Sequence, residues 1–197
     1  ERIVKCSGLW IKPEADNFWV DTTLDIPHLQ ILYVANCRQR ILDMVSLDSL
    51  KNLEKLLVVN TENGMKDFQT LGKSHKLKAI MIRRQKLTSE SVEWIAQQSK
   101  ISSIALTDAD ASDMTISQLQ CREQLKRLDL FRTDVTFTHS ELFSGPFSKV
   151  KYLDISGTNV SGLSVSIIKE LFPSLEELNL EDTQLSFSHL QDIAAWE

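Results

Sequence analysis

A nine-residue segment recurs seven times along the chain and restricts its fold more than any other feature. Successive copies start 24 or 25 residues apart, and the first, fourth and sixth residue of every copy is Leu, Ile or Val. We expect each copy to form a short strand with these three side chains in a common interior. One such unit cannot bury its apolar side alone, whereas stacked units can. The copies begin at Leu29, Leu53, Leu77, Ile101, Leu125, Val150 and Leu175.

The segments between the predicted strands are about 15 residues long and carry apolar residues at helical spacing, as in 163–172. In one of them, Thr138 followed by Glu141 predicts a capping box that opens a helix, and Gly145-Pro146 predicts its end. The chain therefore alternates strands with helices or turns, which is an α/β pattern.

The ninth position of the repeat is mostly a short polar residue. Such a side chain can satisfy backbone groups where the chain leaves the sheet, and stacked copies predict a hydrogen-bonded ladder. Gln85 and Ala109 fit this pattern poorly, which predicts an irregular middle. The residues at this position are Cys37, Thr61, Gln85, Ala109, Thr133, Thr158 and Thr183.

The segments 125–135, 150–160 and 175–185 nearly match the pattern L-x-x-L-x-L-x-x-N/C/T-x-L and thus resemble the leucine-rich repeat family. The resemblance covers residues 29–197. It implies a curved solenoid with a parallel sheet on the concave side and helices or turns on the convex side. The repeats with Thr at the ninth position are similar to those of intracellular scaffold proteins and of cullin-RING ubiquitin-ligase substrate receptors. No F-box segment is visible in the sequence.

Residues 1–28 have two interpretations. Ile3, Trp10 and Ile11 fit a degenerate first repeat, whereas Trp10, Phe18 and Trp19 fit a cap over the end of the solenoid. The predicted organisation is therefore an N-terminal cap or degenerate repeat over 1–28 and seven repeats over 29–197.

The sequence offers little support for catalysis or cofactor binding. His28, His75, His139 and His189 are dispersed over different repeats, outside ligand or catalytic spacing. The acidic run 108–113 lacks the glycine and closing glutamate of a calcium loop. The glycines form no phosphate-binding loop. We expect a non-enzymatic chain without metal or cofactor.

Charge and cysteine content limit the classes of partner and the cellular compartments that we expect for this chain. Lys and Arg number 22 against 27 Asp and Glu, a net charge of −5, which argues against a nucleic-acid partner. No apolar run is long enough to insert into a membrane. Three dispersed cysteines predict a reducing, intracellular environment, and the one N-glycosylation sequon, 159–161, is expected by chance. We expect a piece of a larger chain or complex.

Outward-facing strand positions predict where a protein partner would bind. At the fifth and seventh positions the first three repeats carry large apolar side chains beside an arginine, an arrangement typical of interfaces. Two other interpretations compete: residues 1–28 could cover this surface, or its side chains could simply pack on one another. The predicted binding residues are Tyr33, Leu57, Val59, Met81, Arg83 and Phe131.

The last repeat is acidic along its predicted strand, and two aspartates extend this strip toward the middle of the sheet; the residues are Glu176, Glu177, Glu181 and Asp182, with Asp129 and Asp154. This strip predicts a solvated face, with docking of a basic segment as the alternative. The function we expect is a non-catalytic protein–protein interaction module, an adaptor or scaffold that binds a partner through the concave face of the sheet. The alternatives are a substrate-recognition part of a ubiquitin ligase and a receptor-type repeat domain.

Overall fold

The computed structural model describes residues 8–11, 22–61, 72, 76–119 and 123–196, and its strands form one open sheet. The strands follow one another across the sheet in chain order, and each pairs in parallel with the next. This topology confirms the predicted parallel repeat array. The strands are β1 (Gly8–Ile11), β2 (Ile31–Ala35), β3 (Lys55–Val59), β4 (Ala79–Arg83), β5 (Ser103–Thr107), β6 (Arg127–Asp129), β7 (Tyr152–Asp154) and β8 (Glu177–Asn179).

The predicted interior positions form a continuous apolar core. In the first six repeats the first, fourth and sixth side chains are all buried. Full burial of one such aliphatic side chain contributes about 1.5–3 kcal/mol. The last repeat differs, since Leu175, Leu178 and Leu180 are only half-buried because no further repeat covers them among the described residues. Stability is therefore expected to be greatest in the central repeats.

Strand β1 extends the sheet by one strand beyond the seven that the sequence predicted. Trp10 pairs in register with Tyr33, and Ile11 pairs with Val34. Ile11 is buried and packs with the core. The signal in the sequence was weak: Leu9 and Ile11 lie 23 residues before Leu32 and Val34, and that spacing continues the repeat. Ile3, Phe18 and Trp19, on which the two interpretations of residues 1–28 also depend, lie outside the described residues.

In the connections that the structure describes, short helices and turns link the strands. A long helix would not fit in a connection of about 15 residues that must also return to the start of the next strand. Among the helices that the structure describes, none combines the length and apolarity needed to cross a bilayer. They are α1 (Ile41–Met44), α2 (Leu47–Leu50), α3 (Ser89–Ala96), α4 (Asp113–Ser117), α5 (Val165–Leu171) and α6 (Phe187–Ala194), with 3₁₀ turns at Ser140–Leu142 and Gly162–Ser164.

Four of the described helical segments begin at the twelfth position of the repeat, which is Ser or Thr in these cases. The backbone N–H of this residue donates to the side chain three residues later. Thr88 pairs in this way with Ser91, Ser112 with Thr115, Ser161 with Ser164, and Ser186 with His189.

The box predicted at Thr138 and Glu141 is wrong. The Thr138 hydroxyl contacts Thr136 and His139 instead, and the segment contains only a 3₁₀ turn. Thr136 occupies the twelfth position there, so the prediction missed the repeat register by two residues.

In each of the seven predicted repeats, one residue after the strand lies in the left-handed region. The eighth position has a φ of 47° to 66° in all seven predicted repeats, and in the first six its N–H donates to the next repeat's seventh-position carbonyl. Six of these residues are not glycine, and the hydrogen bond helps to hold their unfavourable conformation. They are Asn36, Asn60, Arg84, Asp108, Arg132, Gly157 and Asp182.

At three ninth positions the side chain satisfies the backbone of its own repeat rather than that of a neighbouring repeat. The hydroxyls of Thr133, Thr158 and Thr183 each donate to the carbonyl three residues earlier, at 2.8, 2.6 and 2.7 Å. The predicted ladder is therefore wrong for these three. It does join Thr61 and Gln85, because the longer Gln85 side chain donates back to the Thr61 carbonyl and accepts from its hydroxyl. Gln85 thus fits the site that the sequence had marked as irregular.

Candidate protein-binding face of the sheet

The fifth position of every repeat lies on the outer face of the sheet, in one row that crosses all eight strands. Paired registers align these residues side by side, with strands about 4.8 Å apart. The row is apolar over β1–β4 and polar over β6–β8. In order it reads Trp10, Tyr33, Leu57, Met81, Ala105, Asp129, Asp154 and Asn179.

The apolar half of this row, together with Val59, is called the apolar strip below. Trp10 is 64% exposed and Met81 38% exposed, while Tyr33, Leu57 and Val59 are half-buried. Exposed apolar side chains in one contiguous row are unusual on a face that meets only water. The strip therefore has the character of an interaction surface.

Trp10 is the outermost residue of the strip and does not cover the rest of it. Its strand is at the edge of the sheet, and its ring turns back against Gly8, where any added side-chain carbon would collide with it. Leu57 and Met81, two and three strands away, are thus not under this indole. Trp19, the other tryptophan that could cover them, lies outside the described residues.

Five of the six predicted binding residues come together on the adjacent strands β2, β3 and β4. These are Tyr33, Leu57, Val59, Met81 and Arg83. Phe131 does not join them. It follows β6, two strands beyond Arg83, and the Arg132 guanidinium covers its ring at 4.8 Å from the centroid. The binding role of all six remains a prediction. Trp10, for which the sequence allowed either a cap or a degenerate first repeat, extends the same surface.

Two arginines at the end of β4 converge on one carboxylate. Asp108 Oδ2 lies 3.2 Å from Arg83 Nε and 3.8 Å from Arg84 Nε. The two arginine side chains are 45% and 63% exposed, whereas the Asp108 side chain is 19% exposed. One negative charge thus faces two positive charges, and the group keeps a net charge of +1 beside Met81.

The polar half of the row is held by side-chain hydrogen bonds to the backbone. Asp129 accepts from the N–H of Phe131 at 3.1 Å, Asp154 from Ser156 at 2.9 Å, and Asn179 from Glu181 at 3.1 Å. These bonds draw the chain into a turn two residues after the fifth position. Strands β6, β7 and β8 consequently end at the fifth position, whereas β2–β5 end at the seventh.

Burial and a neighbouring charge shape the acidic end of the face. Burial raises the pKa of Asp129, the hydrogen bond from Phe131 opposes this, and the charge of Asp154 raises the pKa further. Asp154 also accepts from Asn179 Nδ2 at 3.0 Å. The Arg127 guanidinium lies over the Tyr152 ring at 3.4 Å from its centroid. The polar side chains at this end of the row therefore contact one another.

The acidic run 108–113 is divided among three separate partners. Asp108 pairs with the two arginines, Asp110 accepts from the N–H of Leu87 at 2.6 Å, and Asp113 accepts from residues 136–138. Within the described ranges no three His, Cys, Asp or Glu side chains are grouped so that they could hold a metal ion.

The histidines and cysteines are also dispersed. His28 lines an open polar pocket of about 170 Å³ with Gln30, Asn52, Glu54 and Lys76. His139 Nδ1 lies 3.6 Å from Asp113 Oδ2, in a different repeat from His28. Cys37 is buried, with its Sγ 3.4 Å from the Met44 sulfur. His75, Cys6 and Cys121 lie outside the described residues.

Comparison with known proteins identifies the architecture. No family model matches the sequence, and no curated protein matches it. A leucine-rich repeat protein of Leptospira interrogans is similar in structure, with a TM-score of 0.52 and 19% sequence identity over 84% of this chain and 41% of that protein. An internalin of Listeria monocytogenes aligns with a TM-score of 0.40 and 14% identity over 87% of this chain and 66% of the internalin. This chain therefore spans less than half of the Leptospira protein. Likeness at such identities concerns the fold alone.

Proposed function

Because the chain folds as a leucine-rich repeat solenoid, we propose that it is a non-catalytic protein-interaction module that binds a partner protein through the outer face of its sheet. A parallel sheet of stacked repeats presents a wide, preformed surface, and such surfaces suit the binding of other proteins. The specific residues in this proposal are those of the apolar strip, with Arg83 at its margin.

The observation that carries the proposal is the exposure of the apolar strip. Elsewhere in the array the interior positions hold the apolar side chains, and outward positions over β6–β8 are mostly polar and charged. Over β1–β4 the outward row is Trp, Tyr, Leu and Met; Trp and Tyr are frequent anchors at the centres of interfaces, and Met is enriched in interfaces. A row that spans three strand spacings, about 14 Å, is wide enough to seat several side chains of a partner.

The proposal is tested by affinity capture from cell extract, with the chain as bait and quantitative mass spectrometry as the measurement. Met81→Ala and Tyr33→Ala should each weaken binding of the captured partner by more than about 1 kcal/mol. Their thermal midpoints should stay close to that of the wild type, because Met81 is exposed and Tyr33 only half-buried.

The matched controls are Glu176→Ala and Glu181→Ala at the acidic end. Exposed rim charges mostly alter association rate and salt dependence, so these variants should retain the partner. If both strip variants still retain the partner and the control variants do not, binding is at the acidic end and the proposal is contradicted.

The scaffold, ubiquitin-ligase and receptor alternatives all use the same kind of binding face. They differ in what the partner does, so the identity of the captured protein distinguishes them. A subunit of a cullin-RING ligase, or a substrate that becomes ubiquitinated with it, would favour the ligase alternative.

A further inference from the structure

We infer that the partner of this face presents an extended segment in which an apolar side chain is followed two residues later by a carboxylate, and that Arg83 and Arg84 receive the carboxylate. This inference rests on the proposed function and adds the chemistry of the segment that binds. It follows from the charge of the arginine pair, from its distance to the apolar strip, and from the charges around both.

The charge of the arginine pair is only partly neutralised. Asp108 is the carboxylate that both side chains approach, and both guanidinium groups remain about half exposed. The Nε–H of Arg83 donates to Asp108 Oδ2 at 3.2 Å. A guanidinium presents five donors in a planar fork, so donors beyond Nε stay available to a second carboxylate. Asp108 thereby holds the pair in place without using up its capacity to bind an anion.

The distance between the arginine pair and the strip suits an extended peptide. Met81 and Arg83 are two residues apart on β4 and point to the same face, which separates their Cα atoms by about 7 Å. In an extended partner segment, residues i and i+2 also point to one face and are separated by the same distance. In a segment that runs along β4 in the direction of the strand, an apolar side chain on Met81 and Leu57 places a carboxylate two residues later beside Arg83.

The surrounding charges favour an acidic segment at this end of the sheet and oppose one at the other end. On the opposite margin of the strip, Lys55 is exposed. Lys78 forms an ion pair with Glu54, with 2.8 Å between Nζ and Oε2. Beyond β5 the fifth-position side chains include Asp129 and Asp154 on adjacent strands, and the nearby Arg127 and Arg132 guanidinium groups lie over the Tyr152 and Phe131 rings. A carboxylate is attracted to Arg83 and Arg84 and repelled by Asp129 and Asp154, which favours the apolar strip as its binding site.

The probe for this inference is a phage-displayed library of random extended peptides, panned against the immobilised chain. The enriched peptides should carry Asp or Glu two residues from Trp, Phe, Leu or Met more often than the unselected library. One enriched peptide, synthesised with a fluorophore, is then titrated with wild-type and variant chains by fluorescence anisotropy. The combined Arg83→Glu and Arg84→Glu change should weaken its binding by about tenfold or more.

The control is Arg132→Glu, which reverses one charge at the eighth position two repeats further on, the position equivalent to that of Arg84; Arg84→Glu alone is the variant of equal charge change. Arg132→Glu should change binding of the peptide by less than about twofold. Charge reversal beside Asp108 could disturb the fold, so Arg83→Gln with Arg84→Gln serves as a milder variant. It removes both charges without placing like charges together and should weaken binding several-fold, with an unchanged circular dichroism spectrum.

The outcomes separate this inference from the proposed function. Enriched peptides that lose binding with Met81→Ala but are neutral or basic, and indifferent to the arginine variants, would overturn the inference and leave the proposed function standing. If Met81→Ala and Tyr33→Ala leave the binding of the enriched peptides unchanged, the peptides do not bind at this face, which counts against both proposals. A library with no enrichment at all would count against both as well.

Discussion

Asp113 connects two neighbouring repeats, and its removal is expected to be one of the most damaging single polar changes in the chain. It is the first residue of α4 and is 5% exposed. Its Oδ1 accepts from the N–H of Thr136 at 2.8 Å and of Phe137 at 2.9 Å. Its Oδ2 accepts from the Thr136 hydroxyl at 2.8 Å and the Thr138 N–H at 3.3 Å. Phe137 has a φ of 50°, so this carboxylate stabilises a turn in an unfavourable conformation.

The expected cost of Asp113→Ala follows from the donors that it leaves without their acceptor. The N–H of Phe137 is buried, and an unsatisfied buried donor costs about 1–3 kcal/mol. The N–H groups of Thr136 and Thr138 are partly accessible and contribute about 0.5–1 kcal/mol each. The free energy of unfolding should therefore fall by about 2–5 kcal/mol. Asp113→Asn keeps one oxygen acceptor but directs an amide N–H₂ toward donors, and should cost about half as much.

The contribution of Asp113 should also depend on pH. Burial raises its pKa, but the hydrogen bonds from residues 136–138 outweigh burial and hold the pKa below its ordinary value of 3.8. A folded-state pKa below the unfolded one means that the carboxylate stabilises the fold above about pH 4 and loses this effect as the pH falls through the folded pKa. The stability difference between the wild type and Asp113→Asn should therefore shrink below about pH 4.

Urea unfolding, followed by circular dichroism and tryptophan fluorescence from about pH 7 to about pH 3, measures these effects. Asp134→Ala is the matched control, because Asp134 is an exposed carboxylate near the same turn and its loss should change stability by less than about 0.5 kcal/mol. The reasoning is refuted if Asp113→Ala is as mild as the control, or if Asp113→Asn and Asp113→Ala cost the same at every pH.

Two further predictions concern the core and the turns. Leu128→Ala should lower the free energy of unfolding by about 2–5 kcal/mol and Leu178→Ala by clearly less, because Leu128 is fully buried and Leu178 is half-buried in the last repeat; equal losses in urea titrations would argue against a frayed end. Gly157→Ala should cost about 1–2 kcal/mol, because φ is 66° and the added Cβ would lie 2.7 Å from Arg132 Cγ. Combining it with Arg132→Ala should recover part of that loss, and no recovery would show that the conformation alone is responsible.

The sequence by itself determined the repeat architecture. The 24- to 25-residue period placed β2–β8, and the residues at positions such as Leu128 and Ile155 were correctly assigned to the interior, because alternation along a strand is a local property that each repeat carries in its own residues. The same alternation placed Tyr33 and Met81 on the outer face. The leucine-rich repeat fold predicted from this pattern is confirmed by the parallel sheet and by the structural comparison.

Contacts between repeats were decided only by the tertiary structure. Asp113 reaches into the following repeat, Gln85 reaches back to Thr61, and Asp108 joins two arginines from the preceding repeat. The partners in these pairs are about 24 residues apart in the chain, so no local pattern reveals them. Their geometry depends on how each repeat stacks on the next, and the same stacking brings Trp10 beside Tyr33 while it leaves Phe131 two strands from Arg83.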